Sequence, residues 1–454
     1  MRHTLLVCFV SIGTIVQAQT PQLWGTTTHG GAYGKGTIFR MDLDGSDFQV
    51  VYSFDSISGS APQGGLCLAP NGKLYGLTNS DGANGVGTLF SISHSTLQFT
   101  KLADLAFGEA AYPWGSMMLA SDGYLYGTGI GDAFRLDPAT DAVTFNIAPY
   151  GVTEGLVEGN GGIYGTDAYG GTNGDGSIFV LEPSNLTSVE VYSFEETTGQ
   201  RPYGKLCQAV NGKLYGMTYE GGTNGDGVLY EFNPSTNAFD VLLDFNGANG
   251  TNPWSCMISI GADKLLGSVT LGGPNGTGAL FELQPSTGTY EVVHSFSSMT
   301  DGSLLFGGII QATNDLVYGA ATSGGSSGVG TVYSYDPVSH AFNTLHHFEG
   351  GVSGTGPSAE LTYVGAFVGM DDPGAIAGGM KIYPVPADDH VFVSMNDPLL
   401  PEARLTLSDM TGRTIWQGIA RSSVQRVELN GPAGMYWLAC EQNGQRTGQR
   451  VVKR

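Results

Sequence analysis

Positive charge is what this 454-residue chain has least of: 19 Lys and Arg stand against 41 Asp and Glu, a formal net charge of −22. Such a surface repels phosphate backbones, so nucleic acid is excluded as a partner. Cysteine is scarce as well, five residues in all. Cys8 falls in an N-terminal leader, and four further cysteines in so long a chain do not make a disulfide framework. Cys67 (GGLCLAP) and Cys207 (GKLCQAV) hold the same place in two repeats and read as small apolar fillers of equivalent core sites. Beyond the leader no apolar run is long enough to cross a bilayer as a helix. Glycine shows no three-residue period, which rules out collagen.

Glycine is nevertheless abundant, 71 residues, roughly twice the usual share. Gly-rich turns between short apolar runs specify an all-β protein. At the N-terminus, Arg2 and His3 precede an apolar stretch over residues 4–16 and a small-residue site at Val16-Gln17-Ala18. That pattern predicts a secretory signal peptide over residues 1–18.

An aliphatic-aromatic-Gly landmark then recurs: LWG at 23, LYG at 74, LYG at 125, IYG at 163, LYG at 214, LLG at 265 and VYG at 317. The spacings are 51, 51, 38, 51, 51 and 52 residues. Each full unit adds a Gly loop, an apolar run, a turn and a second apolar run, and a further run such as GGLCLAPNGK precedes the landmark. Its Asn-Gly or Asp-Gly pair is a strong hairpin signal. Four antiparallel strands of five to seven residues, seven times over, describe a seven-bladed β-propeller across residues 22–367; a linear β-solenoid is the alternative. The ends favour the ring, because the array opens on a second strand at Leu23 and closes on an innermost strand at Ser358–Phe367 (SAELTYVGAF). The last segment can therefore complete the first blade and remove an exposed edge.

The Gly loop follows the second strand in six units, including GGTNGDG at 170–176 and again at 221–227. A phosphate-binding loop requires Lys-Ser/Thr and a following helix, whereas β-forming runs follow here. An aspartate stands at the sixth loop position in only two units, Asp175 and Asp226, and what repeats is glycine, which suits turns of positive φ. GGSSG at 324–328 fits a serine-hydrolase elbow by letters alone, since it lies in the same hairpin loop.

The units resemble the GloVer-type tandem repeat of secreted bacterial proteins (YG-x-T, GG, G-x-GT-I/L-F, SF, P, NGK in order), a resemblance that implies architecture more than an activity. Residues 368–380 (VGMDDPGAIAGGM) read as a linker, and residues 381–454 differ in character. They carry 9 Lys/Arg and 7 Asp/Glu, against 10 and 34 before them, and alternate as the strands of a small β-sandwich. This tail resembles the type A C-terminal sorting domain of type IX secretion cargo. The resemblance rests on Tyr383-Pro384-x-Pro386, Asp409-x-x-Gly412-Arg413, Gly434-x-Tyr436 and the basic end Lys453-Arg454. Val385 replaces the usual Asn between the prolines. The resemblance implies the type IX machinery as a partner, export to the cell surface or medium, and release or attachment to surface lipopolysaccharide.

Propeller geometry places the segment entering each innermost strand at the mouth of the central channel. There the sequence sets Trp114 (PWG), Tyr203 (PYG), Trp254 (PWS) and Phe306 (LFG). Such rings can stack on sugar faces or grip a peptide, or they can pack between blades. No metal site is expected: His346 and His347 are adjacent and point to opposite faces of a strand, and His294 and His346 take a slot that is Tyr52 and Tyr192 elsewhere. No carboxylate pair recurs at a common slot and no cofactor is implied. The sequence therefore favours a binding or adhesion module for glycan or peptide over a propeller enzyme acting on extracellular polysaccharide or peptide. Because the third unit lacks 13 residues, with its loop cut to residues 129–132 and its exit connection short near 150–154, a gap is expected in the rim beside Trp114.

Overall fold

The computed structural model describes residues 20–147, 155–261 and 263–365, and beyond these residues 380–383, 390–395, 403–409, 414–420, 424–429, 434–442 and 445–453. The chain separates into two compact units, Met1–Gly369 and Met370–Arg454. The first is a seven-bladed propeller of four-stranded antiparallel sheets. Residues 1–19, which include the expected signal peptide, and residues 148–154 and 366–379 lie outside the described residues.

The ring closes as its offset ends require. Thr362–Val364 pairs antiparallel with Gln22–Thr27, setting Gln22 opposite Val364 and Trp24 opposite Thr362, so the last segment is the innermost strand of the first blade. Innermost strands are shorter than the sequence suggests: GGLCLA yields only Cys67–Leu68. The reason is crowding at the axis. A Cβ on Gly64 would lie 2.3 Å from the Gly115 carbonyl oxygen, and one on Gly65 2.5 Å from that of Glu360, so this stretch packs against neighbouring backbones and does not pair.

The landmark has a packing explanation. Its glycine always faces an aromatic residue on the third strand: Gly25 with Phe39, Gly76 with Phe90, Gly127 with Phe134, Gly165 with Phe179, Gly216 with Tyr230, Gly267 with Phe281 and Gly319 with Tyr333. The ring lies across the glycine, and an added Cβ on Gly76 would sit 2.4 Å from Phe90. The preceding tyrosine is fully buried with its hydroxyl held by the hairpin four residues earlier: Asn71 to Tyr75 at 2.8 Å, Asn211 to Tyr215 at 2.8 Å, Asn314 to Tyr318 at 2.9 Å. In the sixth unit Leu266 replaces the tyrosine, and the hairpin there reads Gly-Ala-Asp with no asparagine.

Blades are also stapled at their outer edges by stacked rings. Tyr52 lies on Phe99, Tyr192 on Phe239, His294 on Phe342 and His346 on Phe48, at 3.8–3.9 Å and within 9° of parallel. The two histidines thus do what tyrosine does elsewhere, and His346 does it across the seam between blades seven and one. Cys67 and Cys207 pair with the landmark tyrosines Tyr75 and Tyr215 on equivalent innermost strands as free thiols, and burial pushes both up to about 12.

The second unit contains a three-stranded sheet (Met380–Tyr383, His390–Met395, Val424–Glu428) and a four-stranded one (Thr414–Ala420, Ala403–Asp409, Gly434–Gln442, Gln445–Lys453). Val391 and Val427 from one, with Leu405, Leu407, Tyr436, Leu438 and Val451 from the other, form a single core, the arrangement of a β-sandwich.

Candidate functional site: the channel mouth

The Gly loops turn out to build the mouth. Their last glycine adopts φ of 94–116°, and at Gly87 or Gly227 a Cβ would meet the carbonyl oxygen of Thr78 or Thr218 at 2.1 or 2.0 Å. Only glycine fits. The loop asparagine is an anchor: Asn84, Asn173, Asn224 and Asn275 each donate to the backbone oxygen of Leu105, Phe194, Phe245 or Phe296, at 2.8–3.1 Å. The two aspartates staple the next connection, Asp175 accepting from Gln200 and Asp226 from the Thr251 hydroxyl at 2.8 Å. His347 has a similar duty, its Nδ1 accepting from the Ser326 backbone N–H at 3.2 Å, where Asp104 and Asp244 serve the equivalent loops.

The same terminal glycine seats the proline that leads into the mouth. A Cβ on Gly36, Gly176 or Gly330 would strike the ring of Pro62, Pro202 or Pro357 at 2.4–2.7 Å. Just before the proline, or Leu305 in its place, the chain kinks through the left-handed region. Ala61, Tyr112, Arg201, Asn252 and Leu304 hold φ between 49° and 59°, and Gly356 takes 66°. Non-glycine residues there carry strain of about 1 kcal/mol or more each. The kink turns the residue after the proline toward the axis. In the six described positions that residue is Gln63, Trp114, Tyr203, Trp254, Phe306 and Ser358.

All four aromatic residues singled out by the sequence come together. Trp254 stacks on Tyr203 at 3.9 Å and 14°, takes the edge of Phe306 at 5.6 Å, and lies 6.2 Å from Trp114, which arrives from three blades away. They are not equivalent. Tyr203 is buried beneath Trp254 and shares a 2.8 Å hydroxyl contact with Tyr169, while Trp114 is 37% exposed. Tyr219 sets its edge against both Tyr203 and Trp254, and the Arg201 guanidinium lies 4.7 Å from the centre of Tyr169.

Below the rings is a cavity of about 20 Å³, bounded by Gln63, Trp114, Ser116, Lys205, Phe306 and Glu360 among others. It has room for one water-sized group. Lys205 Nζ and Glu360 Oε2 meet there at 2.7 Å, joining the entry of blade five to that of blade one. Burial pulls the Lys205 ammonium down, but the Glu360 carboxylate more than offsets this and holds its pKa above the ordinary lysine value. The Lys205 stem passes over Gly155, where a Cβ would come within 3.1 Å of it. Gln63 Oε1 is buried in this setting with no hydrogen-bond partner among the described residues. Sequence reasoning missed Gln63, Lys205 and Glu360. Aligning the units four and two residues before each innermost strand would have flagged them, since all other described members of the second slot are Gly, Ser or Cys.

At blade three the rim is low: Leu125–Gly129 and Asp132–Asp137 are joined by Ile130-Gly131 alone, where the other blades carry the Gly loop. The exit connection of that blade lies outside the described residues. In the tail, Asp409 pairs with Tyr436 and Gly434 with Lys453 across adjacent strands, Tyr383 ends the first strand, and Tyr436 is buried. Pro384, Pro386, Gly412, Arg413 and Arg454 lie outside the described residues. Among the described residues no helix is long and apolar enough to cross a membrane.

The Gloeobacter/Verrucomicrobia repeat matches residues 10–155 and 149–383, and the secretion system C-terminal sorting domain matches residues 381–454. No curated protein matches the chain. Among solved structures, a candidate 6-phosphogluconolactonase from Bacteroides uniformis ATCC 8492 is similar, with TM-score 0.53 and 15% identity over 77% of this chain and 100% of that one. Another from Bacteroides fragilis NCTC 9343 has TM-score 0.52 and 13% identity over 77% and 99%. At such identities the likeness extends to the fold alone.

Proposed function

The chain belongs to the Gloeobacter/Verrucomicrobia repeat family and ends in a type IX secretion sorting domain, and from that premise we propose that it is an exported propeller that binds glycan or peptide at its channel mouth without transforming it. The sorting domain carries the export, to the medium or the cell surface, and implies contact with the secretion machinery. One observation carries the binding: Trp114, Tyr203, Trp254 and Phe306, spread over four connections, converge at a small cavity lined by Trp114, Phe306, Lys205 and Glu360. Packing alone would not require so many rings where the six described connections converge. The exposed face of Trp114 and the low rim at blade three give an extended ligand lateral entry.

The purified protein is tested on arrays of immobilised glycans and peptides, with the supernatant assayed for released fragments. Retention without fragment release is expected. Shortened glycans or peptides would make the protein an enzyme.

A further inference from the structure

At blade three the connection arriving from the blade before is held by a different device. In five blades the second glycine of the Gly loop donates its N–H to a carbonyl of that connection: Gly31 to Gly351, Gly82 to Ser56, Gly222 to Glu196, Gly273 to Gly247 and Gly325 to Ser298, at 2.7–3.0 Å. Blade three has no such loop. There the Ile130 N–H donates to the Ala111 carbonyl at 2.8 Å, and the Ala110 N–H donates to the buried Asp132 carboxylate at 3.3 Å. Gly129 packs so closely that a Cβ on it would come within 2.3 Å of the Ala110 backbone. The connection is thereby pinned without a loop standing over it.

What it presents to solvent is apolar. Phe107 is 75% exposed and Ile130 44%, and half-buried Tyr112 sets its ring 5.9 Å from that of Phe107. The same stretch of chain then delivers Trp114 to the mouth. It runs from Phe99–Asp104, the outermost strand of blade two, to Met118–Leu119, the innermost of blade three. Four strands at the usual spacing make that radius about 14 Å. Apolar surface left open beside a ligand site, and joined to it by one segment, marks an extension of that site.

The chemistry of the surface narrows what it takes. A polyanion would meet a chain of net charge −22 and the exposed Glu109 beside Phe107. A peptide strand needs partners for its own backbone, and the backbone groups here are engaged: besides the two bonds above, Glu109 donates to Ala106 and Tyr112 to Val86, both at 2.9 Å. The cations nearest the mouth are also paired, Lys205 with Glu360 and Arg201 with Glu220. An uncharged sugar chain asks for none of these, since its C–H faces pack on aromatic rings while its hydroxyls stay in water.

We propose that the connection from Phe107 to Trp114 is a second subsite, over which a neutral glycan held at the mouth extends outward across blade three, with sugar rings on Phe107 and Ile130 at the rim and on Trp114 at the mouth. This rests on reading the mouth as a ligand site, and it adds chain length and absence of charge to what the site selects.

The test is isothermal titration of the full chain with neutral disaccharides and hexaoses of gluco, galacto, manno and xylo configuration, with hexagalacturonate, and with proline-rich and basic hexapeptides. At least one neutral hexaose should bind, about tenfold or more tighter than its own disaccharide and than hexagalacturonate. Phe107→Ala should erase most of the difference between hexaose and disaccharide, with the melting temperature of the free protein held within about 2 °C. Trp114→Ala should abolish binding of both. Equal affinity for disaccharide and hexaose, hexaose binding indifferent to Phe107→Ala, or a fall in melting temperature that marks Phe107 as a packing residue would overturn this inference. Preferential binding of hexagalacturonate or of a peptide, abolished by Trp114→Ala, would also overturn it and leave the mouth as the binding site. Binding by no probe, or binding indifferent to Trp114→Ala, would overturn both.

Discussion

The two halves of the channel mouth are built by the same backbone device and do different things with it. On one side Tyr203, Trp254 and Phe306 pack on each other, so that each ring is partly a wall for the next. On the other, Gln63 and Ser358 occupy the same slot, and the ion-pair partner Glu360 lies two residues beyond Ser358. Trp114 belongs to neither half, 6.2 Å from Trp254 and open on one face. The proline seat and left-handed kink fix where a side chain is aimed, and the residue placed there decides between rigidity and recognition. The difference teaches that aromatic identity alone does not mark an open ring at this mouth: Tyr203 is buried and supports Trp254, while Trp114 keeps more than a third of its surface exposed.

The comparison can be broken first at the polar half. Removing residues 358–367 takes away Ser358, Glu360 and the innermost strand of blade one together, leaving Gln22–Thr27 with a bare edge. The whole ring should lose its cooperative thermal transition, read by circular dichroism. Next in size is Glu360→Leu, which leaves Lys205 partly buried and unpaired; a loss of about 3 kcal/mol in denaturant unfolding is expected, the low end for a broken buried pair, and the double change Lys205→Met with Glu360→Leu should recover most of it.

Within the aromatic half, Trp254→Ala removes the ring stacked on Tyr203 and should cost about 2 kcal/mol of stability, whereas Trp114→Ala should cost less than about 1 kcal/mol. Equal costs would mean that Trp114 is also a packing residue. Smaller still is an acid effect at the seam. Burial, with the neighbouring His347 adding to it, lowers the His346 pKa to about 4 in the folded protein, against about 6.5 in an unfolded chain. The folded state therefore favours neutral His346, so its contribution is full above pH about 6.5 and is lost as pH falls toward 4. His346→Tyr, which restores the residue type of Tyr52 and Tyr192, should flatten melting temperature against pH over that window.

Much of this fold is legible in the chain because each repeated letter answers a steric demand. The landmark glycine lies under a facing ring, the hairpin asparagine holds the landmark tyrosine, and the last loop glycine seats a proline. The offset ends predict the closing strand for the same reason. What sequence does not display is chemistry that depends on closure. Lys205 and Glu360 are 155 residues apart and meet only because blades five and one face each other across the axis. The stack of Trp254 on Tyr203 joins successive units at a slot where both rings look equally exposed in the sequence. Strand lengths near the axis also fall short of the apolar pattern, since converging backbones replace pairing there.

Trp114 offers the most direct measurement of the central claim, because it is the most exposed of the four mouth rings and lies farthest from its nearest ring. Trp114→Ala should leave the melting temperature within about 2 °C of the parent and abolish retention on whichever immobilised glycan or peptide the parent protein holds. Undiminished retention by a well-folded Trp114→Ala protein would contradict the account and place binding elsewhere on the ring.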